Sequence, residues 1–268
     1  MSERDGYKPG EFCWVDLAVP DVDAATAFYG DLIGWEAKSA GPVDEAGGYG
    51  FFAYKGKMVA GYGPTQNEYQ PPAWSSYITV ADIDETTAKV REAGGSVLME
   101  PMELPMESGR VAVYRDAEGA FISAIQPGRH AGAELVNEVG TWTWTNLGTR
   151  DLDKAQSFYG HVFGWKAERS PEAPPELPYL MWHIEGQKWD EGLAGLQIMG
   201  DETPPQVPPH WMVYFAVEDA DAAVERTLAA GGQVMVPPLK IPVGVMALLI
   251  DPQSAAFAII QPDYREGR

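Results

Sequence analysis

Hydrophobic and polar residues alternate over short stretches of this chain and then change to a helical spacing. The alternation from Phe12 to Val19 predicts a β-strand, and the Asp21 that follows is a suitable helix N-cap. Apolar residues then recur every three or four positions between residues 22 and 32, which predicts a helix with one apolar face. Gly34 is placed to end this helix, since glycine adopts the left-handed backbone of a C-terminal cap.

The same order then starts again. Residues 75–80 predict a strand, Asp82 is a second N-cap, and a helix runs to Ala93 before Gly94 and Gly95 stop it. The remaining strands of this half are expected near residues 50–54, 58–62, 96–99, 110–114 and 121–125. Each half of the chain therefore contains two modules of the order strand, helix, strand, strand, strand.

The chain is a tandem duplication. The octet FYGDLIGW at residues 28–35 returns as FYGHVFGW at residues 158–165, and VADIDETTAKVREAGG is matched later by VEDADAAVERTLAAGG. We place a first domain at residues 1–127, a linker at 128–140 and a second domain at 141–268. Because aromatic residues at helical spacing usually pack in a core, we interpret the repeated octet mainly as structural.

Composition narrows the classes of function. Of the 268 residues, 45% are hydrophobic and 11% aromatic, as expected of a folded globular chain. The formal net charge of −20 argues against nucleic acid or an anionic membrane as partner, because both require basic patches. The polar N-terminus lacks an apolar signal core, and Cys13 is the single cysteine, so we expect a cytoplasmic protein without an internal disulfide.

The stretches VPDVDAATAFYGDLIGW, VADIDETTAKVREAGG and YRDAEGAFISAI, with their counterparts in the second half, resemble the vicinal oxygen chelate superfamily. That superfamily includes glyoxalase I, bleomycin-resistance proteins and extradiol dioxygenases. In particular, the chain resembles duplicated actinobacterial glyoxalase-like proteins. The resemblance implies an α+β fold in which four βαβββ modules form two glyoxalase-like domains with curved mixed sheets. It also implies one pocket in each domain.

The resemblance further implies where a metal would be held. Relatives that use a metal carry ligands on the first strand of each module and a carboxylate on the last strand. These positions fall at Trp14, Ser75 and Ser123 in the first half, and at Trp144, Met212 and Ala258 in the second. None is a good ligand for a transition metal, so we expect no metal and no other cofactor.

The histidines do not restore a metal site. The four are read as a strand-entry or rim residue (His210), an exposed helix-end residue (His161), a linker residue (His130) and a strand residue (His183). Single histidines without partner ligands do not make a metal site.

Two-residue alternation predicts which side chains share a pocket with the replaced ligand positions. The predicted lining is Trp14, Asp16, Ser75, Tyr77 and Ser123 in the first half, and Trp144, Asn146, Met212 and Tyr214 in the second. Met102, in a segment expected to be a loop near the pocket mouth, is a further candidate for ligand contact. The alternative is that the aromatic rings fill the domains and leave no cavity.

Asp16 is the strongest candidate for chemistry. A carboxylate beside a tryptophan is desolvated, which raises its pKa toward that of a general base, and Tyr77 or Tyr214 could share its proton. Its counterpart in the second half is Asn146, so the two halves are not chemically equivalent. The alternative is a structural carboxylate that is hydrogen-bonded to the backbone or to a nearby tyrosine or arginine.

Two functions of different classes remain open from the sequence. The first is a metal-independent protein that binds a bulky aromatic or polyketide-like small molecule and sequesters it, as the bleomycin-resistance branch does. The second is a metal-free enzyme of secondary metabolism that uses Asp16 in a cyclisation, isomerisation or hydration. A metal-dependent glyoxalase or dioxygenase is disfavoured. Because one chain already contains four modules, we expect a monomer.

Overall fold

A computed structural model describes residues 2–169, 179–187, 191–201 and 203–263 of the chain. The strands of the first half are β1 (Phe12–Val19), β2 (Glu36–Ser39), β3 (Gly50–Tyr54), β4 (Lys57–Pro64), β5 (Ala73–Thr79), β6 (Ser96–Glu103), β7 (Gly109–Arg115) and β8 (Phe121–Pro127). Its helices are α1 (Val22–Ile33), the short α2 (Val43–Ala46) and α3 (Ile83–Glu92), with a 3-10 turn at Pro105–Glu107.

The second half repeats this order. Its strands are β9 (Trp142–Thr149), β10 (Trp165–Arg169), β11 (Tyr179–Ile184), β12 (Ala194–Ile198), β13 (His210–Ala216), β14 (Gln233–Ile241), β15 (Gly244–Ile250) and β16 (Ala256–Pro262). Its helices among the described residues are α4 (Leu152–Phe163) and α5 (Ala220–Ala229). The last five residues of the predicted second domain, 264–268, lie outside the described part.

Each half forms one eight-stranded mixed sheet. The strand orders are β2-β3-β4-β1-β5-β8-β7-β6 and β10-β11-β12-β9-β13-β16-β15-β14. The two modules of a half meet at the antiparallel pair β1–β5 or β9–β13, and parallel pairs such as β1–β4 and β5–β8 flank it. The predicted α+β fold with four βαβββ modules is confirmed, and neither sheet closes into a barrel.

The predicted helix boundaries are also confirmed. The Asp21 side chain accepts a hydrogen bond from the Ala24 backbone N–H at 2.9 Å, and Gly34 has a φ of 86° in the left-handed region. One boundary was wrong: β6 continues to Glu103, so Met102 lies in an edge strand rather than in a loop. Repeated turn residues mark a helix end clearly, whereas Pro101 in this segment is typical of a loop and is also tolerated in an edge strand.

The repeated octet joins the two halves. Tyr29 of α1 is completely buried, and its hydroxyl donates to Asp251 in the β15–β16 turn of the other half at 3.1 Å. The same hydroxyl accepts from Trp74 Nε1 at 2.8 Å. Tyr159 of α4 repeats this arrangement in reverse, donating to Asp116 of the first half at 2.9 Å. The structural interpretation of the octet is therefore confirmed.

The tryptophan that ends each octet makes a second reciprocal contact. Trp35 Nε1 donates to the carbonyl of Gly140, just before β9, at 2.7 Å, and Trp165 Nε1 donates to the carbonyl of Gly10, just before β1, at 2.9 Å. Both rings are buried with the other aromatic residues between the two sheets. One hydrophobic core thus serves both halves.

The first residues of the chain lie along the linker. This N-terminal strap, residues 2–11, forms a backbone bridge between Glu3 and Leu135. Tyr7 donates from its hydroxyl to the carbonyl of Ala133 at 2.7 Å, and the Arg4 backbone N–H donates to the carbonyl of Glu134 at 3.0 Å. The strap and the linker therefore support each other.

No helix in the described residues has the length and apolarity that a membrane crossing requires.

Candidate functional site

The two faces of each sheet have different roles. Val15 and Leu17 of β1 are fully buried on the face that packs between the sheets, which we call the core face. Trp14 and Asp16 alternate with them and lie on the opposite face, which we call the site face. The predicted side-chain alternation of this strand is therefore confirmed.

On the site face of the first half, Asp16 is bound by a tyrosine. The Tyr77 hydroxyl of β5 donates to Asp16 Oδ2 at 2.9 Å. Ser75 is the direct strand partner of Asp16, and Ser123 of β8 is the strand partner of Tyr77, so the predicted lining residues of this half lie together. Asp16, Ser75 and Tyr77 remain partly exposed. The arrangement pairs a carboxylate with a phenol that a ligand can approach.

A second tyrosine of this site was missed by the sequence analysis. Trp14 Nε1 donates to the Tyr49 hydroxyl at 3.3 Å, which fixes the indole ring. The Tyr49 hydroxyl lies directly over Gly61, where any side chain would collide with it. Tyr49 precedes β3 in a turn-rich segment, so no two-residue alternation indicated which way it would point.

Burial sets the protonation of this cluster. Desolvation raises the pKa of Asp16 to about 6, while the hydrogen bond from Tyr77 opposes the rise because it stabilises the charged form. Burial, and then the nearby Asp16 charge, raise the pKa of Tyr77 well above its ordinary range. The pair therefore holds an ionisable carboxylate beside a phenol that stays protonated.

The raised pKa predicts a pH-dependent effect of Asp16→Asn on stability. Asp16 has a pKa of 3.8 in the unfolded chain and of about 6 in the folded chain. The free energy of unfolding of the wild type therefore falls as the pH rises from about 4 to 6, whereas that of the variant does not, because its amide stays neutral. We expect the variant to be more stable than wild type by on the order of 2 kcal/mol at pH 7.5, and equally stable below pH 4. Urea unfolding at both pH values measures this.

The control for that measurement is the exposed Asp44, whose change to asparagine should leave the stability difference between the two pH values unaltered. An Asp16→Asn variant with no gain at pH 7.5 would show that the ionised carboxylate is well solvated in the folded protein.

His130 also belongs to this site, although the sequence analysis read it only as a linker residue. Its ring stands edge-on to Trp14 with 4.5 Å between ring centroids, and Phe51 lies 6.2 Å away. Burial lowers the pKa of His130, with Glu134 opposing, so the neutral imidazole is favoured. Its Nε2 is buried and has no hydrogen-bond partner among the described residues. Together with the linker it covers Trp14, which is only 2% exposed.

The second half has the same aromatic framework with different polar groups. Trp144 Nε1 donates to the Tyr179 hydroxyl at 2.9 Å, as Trp14 does to Tyr49. Asn146 faces Met212 across the β9–β13 pair, and its Oδ1 is buried without a partner in the described part of the chain. Trp144 remains partly exposed, in contrast to Trp14.

Two candidates lie away from Asp16. Tyr214 is the strand partner of Trp144 in the second sheet, so it cannot share a proton with Asp16 as the sequence analysis allowed. Burial raises the pKa of Tyr214 to about 12. Met102 is half-exposed on β6, at the far edge of the first sheet and separated from β1 by β5, β8 and β7. Met102 is distant from Asp16 because of the strand order, and Tyr214 because it lies in the other sheet. Neither feature was predictable from the sequence.

The residues at the implied ligand positions do not fit a metal. They offer indole, hydroxyl, thioether and methyl groups, and the nearby Asp16 supplies a single carboxylate. In the described residues, no three His, Cys, Asp or Glu side chains form a group that could hold a metal ion. Zinc and similar cations require several imidazole, thiolate or carboxylate ligands, so this donor set is unsuitable.

Comparison with known proteins supports the fold. The model of the glyoxalase/bleomycin resistance protein/dioxygenase superfamily matches residues 12–123 and 141–256. The Mn(II)-bound glyoxalase from Novosphingobium aromaticivorans superposes with a TM-score of 0.59 at 15% identity, covering 100% of this chain and 87% of that chain. The 2,3-dioxygenase LapB from Pseudomonas sp. KL28 gives 0.61 at 14% identity, covering 95% and 92%. At these identities the likeness shows the fold alone.

Relatives by sequence match almost the whole chain. "Putative glyoxylase CFP32" of Mycobacterium tuberculosis is 39% identical, with 98% of both chains covered. The anthracycline biosynthesis protein DnrV of Streptomyces peucetius is 36% identical, covering 97% of this chain and 96% of its own. The anthracycline biosynthesis protein DauV of Streptomyces sp. strain C5 is 35% identical, covering 95% and 94%.

Proposed function

Since the chain belongs to the glyoxalase/bleomycin resistance protein/dioxygenase superfamily, we propose that it is a metal-independent protein that binds a planar, polycyclic aromatic small molecule. In this proposal it captures such a compound within secondary metabolism and keeps it sequestered. The two relatives named for anthracycline biosynthesis support this ligand class, because the anthracycline skeleton contains a planar anthraquinone.

One observation carries the proposal. In both halves a tyrosine hydroxyl fixes an indole, Tyr49 holding Trp14 and Tyr179 holding Trp144. The family resemblance implies that these two indoles stand where metal-using relatives carry a ligand. Trp144 remains partly exposed, and a ring that is already held in place loses little conformational freedom when a flat ligand stacks on it. Aromatic walls with a few polar groups are typical of small-molecule sites.

A second candidate function rests on a different observation. The pKa of Asp16 is raised to about 6, and the carboxylate is hydrogen-bonded to Tyr77, which suits a general base near neutral pH. This pair would support a metal-free cyclisation, isomerisation or hydration of the same class of ligand. A proton would pass from a substrate carbon or a water molecule to Asp16.

We also propose that the protein acts as a monomer. The reciprocal contacts of Tyr29 and Tyr159 lie between the halves of one chain, and they bury the aromatic surface that a module pair would otherwise expose. A second chain is therefore not needed to complete the core.

Removal of metal separates this proposal from a metal-dependent one. We expect protein dialysed against EDTA to bind a neutral fused-ring probe, anthraquinone-2-carboxamide, with the affinity of untreated protein, because stacking on fixed indoles requires no cation. Isothermal titration calorimetry measures both affinities, and elemental analysis reports the metal content of each sample.

Binding that disappears on dialysis and returns with a transition metal would contradict metal independence. Absence of binding by untreated protein, to this probe and to an anthracycline alike, would contradict the proposed ligand class.

A further inference from the structure

A cavity of about 450 Å³ lies between the N-terminal strap and the second sheet. Trp142 and Trp144 of β9 line one side, and Arg4, Tyr7 and Lys8 of the strap line another. The volume falls within the range of about 300–1,000 Å³ that is usual for small-molecule sites. The strap is fixed to the linker by hydrogen bonds, so this wall is formed before any ligand arrives.

In the first half the linker covers the corresponding indole, Trp14. The Ala133 backbone N–H donates to the Cys13 carbonyl at 2.8 Å, which holds the linker against β1, and His130 packs on the edge of Trp14. Trp14 is consequently 2% exposed, whereas Trp144 is partly exposed and lines the cavity. Of the two indoles at the replaced ligand positions, Trp144 is the one a ligand can reach.

The acidic side chains around the cavity have interaction partners, whereas the basic side chains form no ion pairs with described residues. In the described part of the chain, neither Arg4 nor Lys8 forms an ion pair through its side chain, and the Arg4 guanidinium lies 5.7 Å from the centre of the Tyr7 ring. Glu11, which also lines the cavity, accepts from the Lys8 backbone N–H at 3.0 Å. Glu191 on the facing hairpin has a partner as well. Two cations that form no ion pair with any described residue stand out in a chain with a net charge of −20.

We infer that this cavity binds the planar ligand of the proposed function and selects a ligand that carries a carboxylate. The flat ring system lies against Trp144, and the carboxylate is held by the side chains of Arg4 and Lys8. Charge-assisted hydrogen bonds of this kind are stronger than neutral ones. The inference rests on the proposed function for the aromatic body of the ligand and goes beyond it in the location and the anionic group.

The test compares two probes that differ only in charge, anthraquinone-2-carboxylate and anthraquinone-2-carboxamide. We expect the Arg4→Gln/Lys8→Gln variant to bind the carboxylate about tenfold more weakly than wild type and the carboxamide within about twofold. The control, Lys38→Gln/Lys240→Gln, removes the same charge from exposed positions away from the cavity and should leave both affinities within about twofold. In wild type, added salt should weaken the carboxylate more than the carboxamide.

A third variant locates the ring system. Trp144→Leu should weaken both probes about tenfold, since stacking serves either one. Thermal melting of this variant and of Trp14→Leu establishes that each is folded before titration. Loss of both probes in Trp14→Leu but not in Trp144→Leu would place the ligand in the first half and overturn the inference.

The outcomes also separate the inference from the proposed function. If wild type binds the carboxamide and the cation variant binds the carboxylate normally, or loses both probes equally, the charge selection is wrong and the aromatic binding function stands. If wild type binds an anthracycline but neither probe, the inference is wrong and the proposed function stands. If it binds none of the three, both are wrong.

Discussion

Replacing Asp116 with alanine is expected to destabilise the protein by about 3–5 kcal/mol, because buried donors would lose their acceptor. Asp116 is 5% exposed and accepts from the Tyr159 hydroxyl and from the backbone N–H groups of Glu118 and Ala120, each at 2.9 Å. Asp116 therefore stabilises a tight turn of its own half and also binds Tyr159 on α4 of the other half. Urea unfolding at pH 7.5 measures the loss.

Asp251 should behave in the same way, since it accepts from the Tyr29 hydroxyl and from the backbone N–H groups of Gln253 and Ala255. Tyr159→Phe removes the hydrogen bond between the halves and also the one that the Tyr159 hydroxyl accepts from Trp211 Nε1 at 2.7 Å. We expect this variant to lose about 1–3 kcal/mol. The exposed Asp44→Ala is the control, and a loss at Asp116 no larger than at Asp44 would contradict the role given to the buried carboxylate.

Asp16→Asn is expected to separate capture from catalysis. If the chain converts its ligand by acid–base chemistry, the amide can no longer accept a proton, and kcat should fall by about a hundredfold or more. Binding of anthraquinone-2-carboxamide should stay within about twofold, because the aromatic framework is unchanged. Steady-state kinetics and calorimetry on the same preparations give both quantities.

The Tyr77→Phe variant tests the catalytic role of Asp16 through a change in its pKa. The hydrogen bond from Tyr77 lowers the pKa of Asp16 against the effect of burial, so its removal should move the ascending limb of the pH–rate profile from about pH 6 to higher pH. Turnover that is unchanged in Asp16→Asn would remove Asp16 from any catalytic role. Retained binding without turnover in wild type is the result expected of a capture protein.

Much of the fold was predictable because it is marked by local rules. Aspartate caps, glycine stops and the change from two-residue to helical spacing located α1 and β1 to the residue. The same alternation put Trp14 and Asp16 on one face and indicated Tyr77 as a neighbour. These features depend only on residues close in sequence or on adjacent strands.

The remaining features depend on long-range packing. Tyr49 reaches Trp14 from a turn-rich segment, and His130 covers the same ring from the linker, where no periodicity indicates direction. The partner of each octet tyrosine lies in the other half, at Asp116 or Asp251, so it could not be read from either copy alone. The cavity beside Trp144 requires the strap to return to the linker, which the sequence does not signal.

The reciprocal tyrosine–aspartate contacts have a consequence for how the two copies could diverge. If the two copies were separate, identical chains that associate through such contacts, they would form a symmetric dimer. Every substitution would then be present in both copies. Fusion into a single gene keeps the shared aromatic core and lifts that constraint. One copy then carries Asp16 on the same face as an indole that His130 covers, while the other carries Asn146 on the same face as a partly exposed indole.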